Sequence, residues 1–76
     1  MKHWHKAGPA EWELEREGLT GKARIRQVEG GFEARIGVRD TEFQMDLLSE
    51  QDFFESRSAA VSYLEELMEE YDSGPV

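Results

Sequence analysis

A chain of 76 residues with 38% apolar content and no cysteine has material for one small domain, without disulfide staples, thiolate metal sites or thiol nucleophiles. Its net charge of −8 works against direct nucleic-acid binding, because the phosphate backbone that supplies most of such affinity is itself anionic. No run approaches the ~18 apolar residues of a membrane span, and the first nine residues lack the apolar stretch of a secretory signal, so a soluble cytoplasmic protein without membrane contact is expected.

Residues 1–9 read as a flexible leader ending at Gly8-Pro9. Its His3-Trp4-His5 offers two imidazoles on a frayed tail, with no cysteine and no further histidine, so the expected reading is not a metal site but an ordinary disordered terminus whose Trp4 can dock on the domain. From Ala10 the pattern has period two. In Glu11 to Glu17 the apolar Trp12 and Leu14 alternate with glutamates, as in a half-buried strand. Gly18-Leu-Thr-Gly21 supplies a turn, and Lys22 to Val28 then sets Ala23 and Ile25 against Lys22, Arg24 and Arg26. Beside the first strand, these cations face Glu11, Glu13 and Glu15 in a ladder that contributes roughly 0.2–1 kcal/mol per pair and helps fix the register. That makes the basic residues structural rather than nucleic-acid binding.

Glu29-Gly30-Gly31-Phe32 carries the Gly-Gly signal of a two-residue hairpin. A phosphate loop would lead from a strand into a helix, whereas Phe32 to Val38 alternates as a third strand, with Phe32, Ala34, Ile36 and Val38 inward. After a tight turn at Asp40-Thr41, Glu42 to Leu47 alternates again, and Phe43, Met45 and Leu47 are expected to point inward. Leu48 to Glu55 reads as an irregular connection containing a short turn with at least one of Phe53 and Phe54 closing the core edge, the alternative being that Phe53-Phe54 extend or follow the fourth strand, after which Ser56 or Ser58 caps a helix. Within that helix Ala60, Val61, Leu64, Leu67, Met68 and Tyr71 recur at helical spacing on one side. It is expected to end near Tyr71, with Ser73-Gly74-Pro75 as the stop signal and residues 73–76 as a tail.

With short connections, consecutive strands are antiparallel neighbours. The expected fold is therefore α+β: a four-stranded antiparallel β-meander over residues 10–72, with one C-terminal amphipathic helix packed across one face.

The acidic excess is segregated along the chain. Residues 1 to 39 carry eight basic side chains against six acids, whereas residues 40 to 76 carry eleven acids and a single base, Arg57. Opposite the helix's apolar side fall Glu65, Glu66, Glu69, Glu70 and Asp72, with no cation after Arg57 to pair them. At 1.5 Å rise per residue they lie near 2 Å per charge, close to the ~1.7 Å of duplex DNA. Solubility is the ordinary role of such a strip. Yet Glu65 with Glu69, and Glu66 with Glu70, are like-charge pairs that cost the helix a few tenths of a kcal/mol each, and mixed charges would serve solubility equally well. These five carboxylates are the candidate partner-binding residues, directed at a basic, nucleic-acid-binding protein. Catalysis is not expected, because carboxylates on a convex helix are not desolvated and a domain this small has little room for a pocket of ~300 Å3. No cofactor is implied, and the chain is expected as a monomer or homodimer.

A very small, cysteine-free, acidic α+β chain, with a strand-rich core followed by the block from Glu65 to Asp72, resembles the phage-encoded anti-CRISPR proteins. Several of these carry acidic surfaces that occupy the DNA-binding channels of CRISPR effector complexes. The resemblance lies in size, charge and architecture and carries no motif; it implies a non-enzymatic inhibitor acting as a DNA mimic in a host cytoplasm. A second resemblance, through Gly30-Gly-Phe-Glu-Ala34 and Ala59-Ala-Val-Ser-Tyr-Leu64, is to HicB-like antitoxin domains. It implies an antitoxin or adaptor that pairs with a protein through a sheet edge, although no DNA-binding segment follows the helix here.

Overall fold

A computed structural model describes residues 1–73. The chain is α+β, with an antiparallel sheet and one C-terminal helix, but the sheet has five strands rather than four: β1 (Trp4–Gly8), β2 (Glu11–Arg16), β3 (Leu19–Val28), β4 (Gly31–Asp40) and β5 (Met45–Phe54). They lie side by side in chain order, each antiparallel to the next. The helix α1 (Arg57–Ser73) crosses one face of this meander, chiefly over β4 and β3. It remains helical past Tyr71 through Ser73, the last described residue, and the Gly74-Pro75 part of the expected stop and tail lies outside the described residues.

The additional strand comes from residues read above as a flexible leader. β1 pairs with β2 through Trp4↔Leu14, His5↔Glu13 and Lys6↔Trp12, and the Trp4 indole is buried in the core. Room for it exists because Gly21 stands next along that row, opposite Leu14: a Cβ there would lie 3.0 Å from Trp4 Cη2 and 2.9 Å from the Gly37 carbonyl oxygen. The glycine expected to make a turn is thus a notch within β3. The turn itself is Glu17-Gly18, with Gly18 at φ +82°, and the next hairpin turns on Glu29-Gly30 with Gly30 at +83°. Gly31 already belongs to β4, where a Cβ would lie 2.8 Å from Phe53 Cζ.

The fourth predicted strand runs later and longer than expected. Asp40 Oδ1 accepts from the Glu42 and Phe43 amides at 2.8 and 3.0 Å, which organises a four-residue turn over 41–44 in which Gln44 takes φ +54°. Pairing then passes from Arg39↔Asp46 directly to Val38↔Leu48, leaving Leu47 as an extra residue at a bulge. Phe43 in the turn, Met45 opposite Asp40 at the end of the ladder and Leu47 at the bulge are 70, 60 and 43% exposed, not buried in the core as expected. Residues 48–54, expected as an irregular connection, continue β5 as a regular ladder on β4.

The core is Trp4, Leu14, Leu19, Ala23, Ile25, Ala34, Ile36 and Val38 from the sheet, closed by Ala60, Leu64 and Met68 of α1. Trp12, Phe32, Val61, Leu67 and Tyr71 pack partly buried around it. At the start of α1, Ser56 Oγ accepts the Ala59 amide at 3.2 Å, the expected N-cap bond, and Phe54 and Tyr63 close that end with ring centroids 5.0 Å apart.

Candidate partner-binding surface

Directly opposed residues of an antiparallel ladder share a face, so the register assigns each charge to a side of the molecule. On the face without the helix lie Lys22, Arg24, Arg26, Arg35 and Arg39 together with Glu11, Glu13, Glu15, Glu33 and Asp46, an even balance. Glu11 stands opposite Arg24 and Glu13 opposite Lys22, as the ladder predicted; Glu15 faces Thr20 instead. Arg26 reaches Glu33 at 3.4 Å, Arg35 reaches the same carboxylate at 3.5 Å, and Arg39 meets Asp46 at 2.8 Å.

The twist of the sheet and the missing side chain at Gly37 leave an open groove of about 560 Å3 on this face. It is larger than the chain's size led us to expect, because it is a trough over the strands rather than a void within the core. Its lining holds Ser49 but neither His nor Cys, and its cations alternate with glutamates.

The helix side is different. Glu65, Glu66, Glu69 and Glu70 are all exposed along α1, and none takes part in the ion pairs described above. The structure adds to them two carboxylates that periodicity missed. Glu50 and Asp52 lie opposite Ile36 and Ala34, so they point toward the helix side of β5, beside Tyr63. Burial, and then the charges of Glu50 and Asp52, push the Tyr63 hydroxyl above its ordinary value. The register would have revealed both, but only once the Leu47 bulge was known.

Asp72 does not belong to the exposed strip. It is 6% exposed and continues the buried row Ala60, Leu64, Met68 at i+4 spacing. Its Oδ2 accepts the Lys2 amide at 2.9 Å, and its Oδ1 accepts the amides of His3 at 2.6 Å and Trp4 at 3.0 Å. Desolvation favours the protonated form, yet the three amides and then the nearby His3 prevail, holding the carboxyl below its ordinary value. A carboxylate at a helix C-terminus is misplaced with respect to the macrodipole; here the amides of Lys2, His3 and Trp4 compensate it.

The same junction satisfies two of the last carbonyls of the described helix. Arg16 donates to the Tyr71 carbonyl at 2.6 Å, and His3 Nδ1–H donates to the Asp72 carbonyl at 2.7 Å. His3 is thereby a capping residue. Among the described residues, no cluster of three or more His, Asp or Glu side chains is arranged to hold a metal ion. No helix is long and apolar enough to cross a membrane. No protein family, curated protein or solved structure matches the chain.

Proposed function

We propose that this chain is a non-enzymatic binding protein that uses its acidic side to block a basic, nucleic-acid-binding partner. The observation that carries the reading is the exposed row of Glu65, Glu66, Glu69 and Glu70, on a helix with no cation beyond Arg57, while the open sheet face is electrically balanced. Even without Asp72 the row keeps a carboxylate near every 2 Å of helix rise, a density comparable with that of duplex DNA at ~1.7 Å. A cleft built to hold phosphates is the surface most complementary to it, and encounter steered by such charges weakens as salt rises. Occupation of the DNA channel of a CRISPR effector is the specific form of this activity that the size, charge and architecture suggest.

The test compares the wild type with a variant carrying Glu65→Lys, Glu66→Lys, Glu69→Lys and Glu70→Lys as baits in bacterial lysate, at low and high salt. The expected result is a nucleic-acid-binding protein retained by the wild type at low salt, released as salt rises and absent from the variant. Added wild-type protein is then expected to displace DNA from that purified partner. Retention unchanged by the four substitutions and by salt overturns the proposal.

A further inference from the structure

The two edges of the sheet are not equivalent. β1 is five residues long, breaks register between Lys6 and Gly8 and runs into Pro9, features that blunt an edge against further pairing. β5 is ten residues long and contains neither Lys nor Pro. The Glu29-Gly30 hairpin fixes which backbone groups bond across each ladder: Leu48, Glu50, Asp52 and Phe54 pair toward β4, so Ser49, Gln51 and Phe53 turn their N–H and C=O groups to the free side. Two groups are engaged locally, the Phe53 amide with Asp52 Oδ1 at 2.8 Å and the Leu47 carbonyl with the Tyr71 hydroxyl at 3.4 Å. Beside this edge Leu47 and Phe53 are 43 and 50% exposed, Phe53 on the open face opposite Glu33, and Glu50 and Asp52 stand on the helix side.

We propose that β5 receives an extended basic segment of a partner protein as an added antiparallel strand. Lys or Arg at alternate positions of that segment lie against Glu50 and Asp52, and its apolar residues on the other face meet Phe53.

Charge selects this occupant over the others. A second copy pairing through β5 about a two-fold axis keeps each residue on its own face, and the central registers set Glu50 against Glu50 or against Asp52 of the copy. Like charges directly opposite destabilise a ladder. A neutral strand covers both carboxylates without compensating them. A cationic strand turns the same two groups into cross-strand pairs, while its backbone satisfies the free edge. The inference deepens the function proposed above, since the partner is again basic, but it stands on β5 rather than on the glutamates of α1.

The probe is a blocked synthetic peptide of about ten residues alternating Lys and Val, with a control N-methylated on the alternate amides that would face β5. Each is titrated into the isotope-labelled full chain, and binding is followed by NMR shifts and amide hydrogen exchange. The expected result is exchange slowed by at least roughly tenfold at Ser49 and Gln51, lost with the N-methylated peptide. Glu50→Gln with Asp52→Asn is expected to weaken binding about tenfold, whereas the four Glu→Lys substitutions in α1 leave the protection of Ser49 and Gln51 in place. The proposal is overturned by absent protection at about 1 mM peptide, by equal binding of the N-methylated control, or by shifts confined to α1. That last outcome leaves the acidic-helix function standing and removes only the added strand.

Discussion

Asp72 is the residue on which the two ends of the described chain depend. One carboxylate accepts three amides from Lys2, His3 and Trp4, and so holds β1 in place and fixes the entry of the Trp4 indole beside Gly21. In Asp72→Asn the charge is gone and one oxygen becomes a donor facing an amide, so a loss of about 1.5–3 kcal/mol is expected, the range for hydrogen bonds to a charged group. The pH dependence has a definite sign. Because the folded-state pKa lies below the ordinary 3.8, the unfolded chain binds the proton more readily, and the carboxylate's contribution is complete above that value. It is lost as pH falls from about 3.8 through the folded-state value. Urea unfolding of wild type and variant, followed by tryptophan emission, should show a gap in midpoint at pH 7 that narrows on acidification below the ordinary carboxyl range. A gap of constant size across that range counts against an ionised Asp72 in the folded state.

At the level of elements, α1 was legible because its signals are local. Ala60, Leu64 and Met68 repeat at helical spacing, and the cap at Ser56 is a serine three residues before the amide it accepts. β2, β3 and β4 were legible from alternation. β1 was not, since Trp-His-Lys-Ala-Gly has no alternation of its own; it is a strand because of Asp72 and the Gly21 notch, both remote in sequence. β5 misled for a different reason. Phe43, Met45 and Leu47 alternate with polar residues, but Phe43 falls in the turn over 41–44, Leu47 is the extra residue at the bulge, and Met45 at the strand's first position is left exposed. The candidate surface was legible only in part, through its four exposed glutamates. Glu50 and Asp52 required the register, and Asp72 required its place at i+4 from Met68. If the glutamates of α1 serve a partner rather than the fold, relieving their repulsion should stabilise the chain. Glu69→Lys with Glu70→Lys converts two repulsive i,i+4 pairs into Glu-to-Lys pairs of the favourable orientation, and adds cations near a C-terminus that has none of its own. A gain of about 1 kcal/mol in unfolding free energy is expected, together with weaker retention of the basic partner. A destabilised variant would show that these glutamates are held by contacts within the fold.

Across the whole molecule, the fold sorts charge by side more sharply than the sequence does. The sheet's open face neutralises itself strand by strand, and the uncompensated carboxylates gather on the helix and on the adjoining edge. At that edge the same two groups have opposite consequences for different neighbours. Glu50 and Asp52 repel their own image in a second copy, which is how inward-pointing charges guard an exposed strand against edge-to-edge association. They also make the edge favourable to cations. The guard can be removed without touching the core, because both side chains are exposed and their backbones already pair with β4. Glu50→Gln with Asp52→Asn leaves a long, uncharged edge flanked by exposed Leu47 and Phe53, and such an edge pairs with its copy. Sedimentation velocity at neutral pH is therefore expected to give a monomer for the wild type and a concentration-dependent dimer or larger species for the double variant at about 100 μM. A variant that stays monomeric at that concentration would show that another feature, such as the Phe53 amide's bond to residue 52 or the Tyr71 hydroxyl at the Leu47 carbonyl, closes the edge instead.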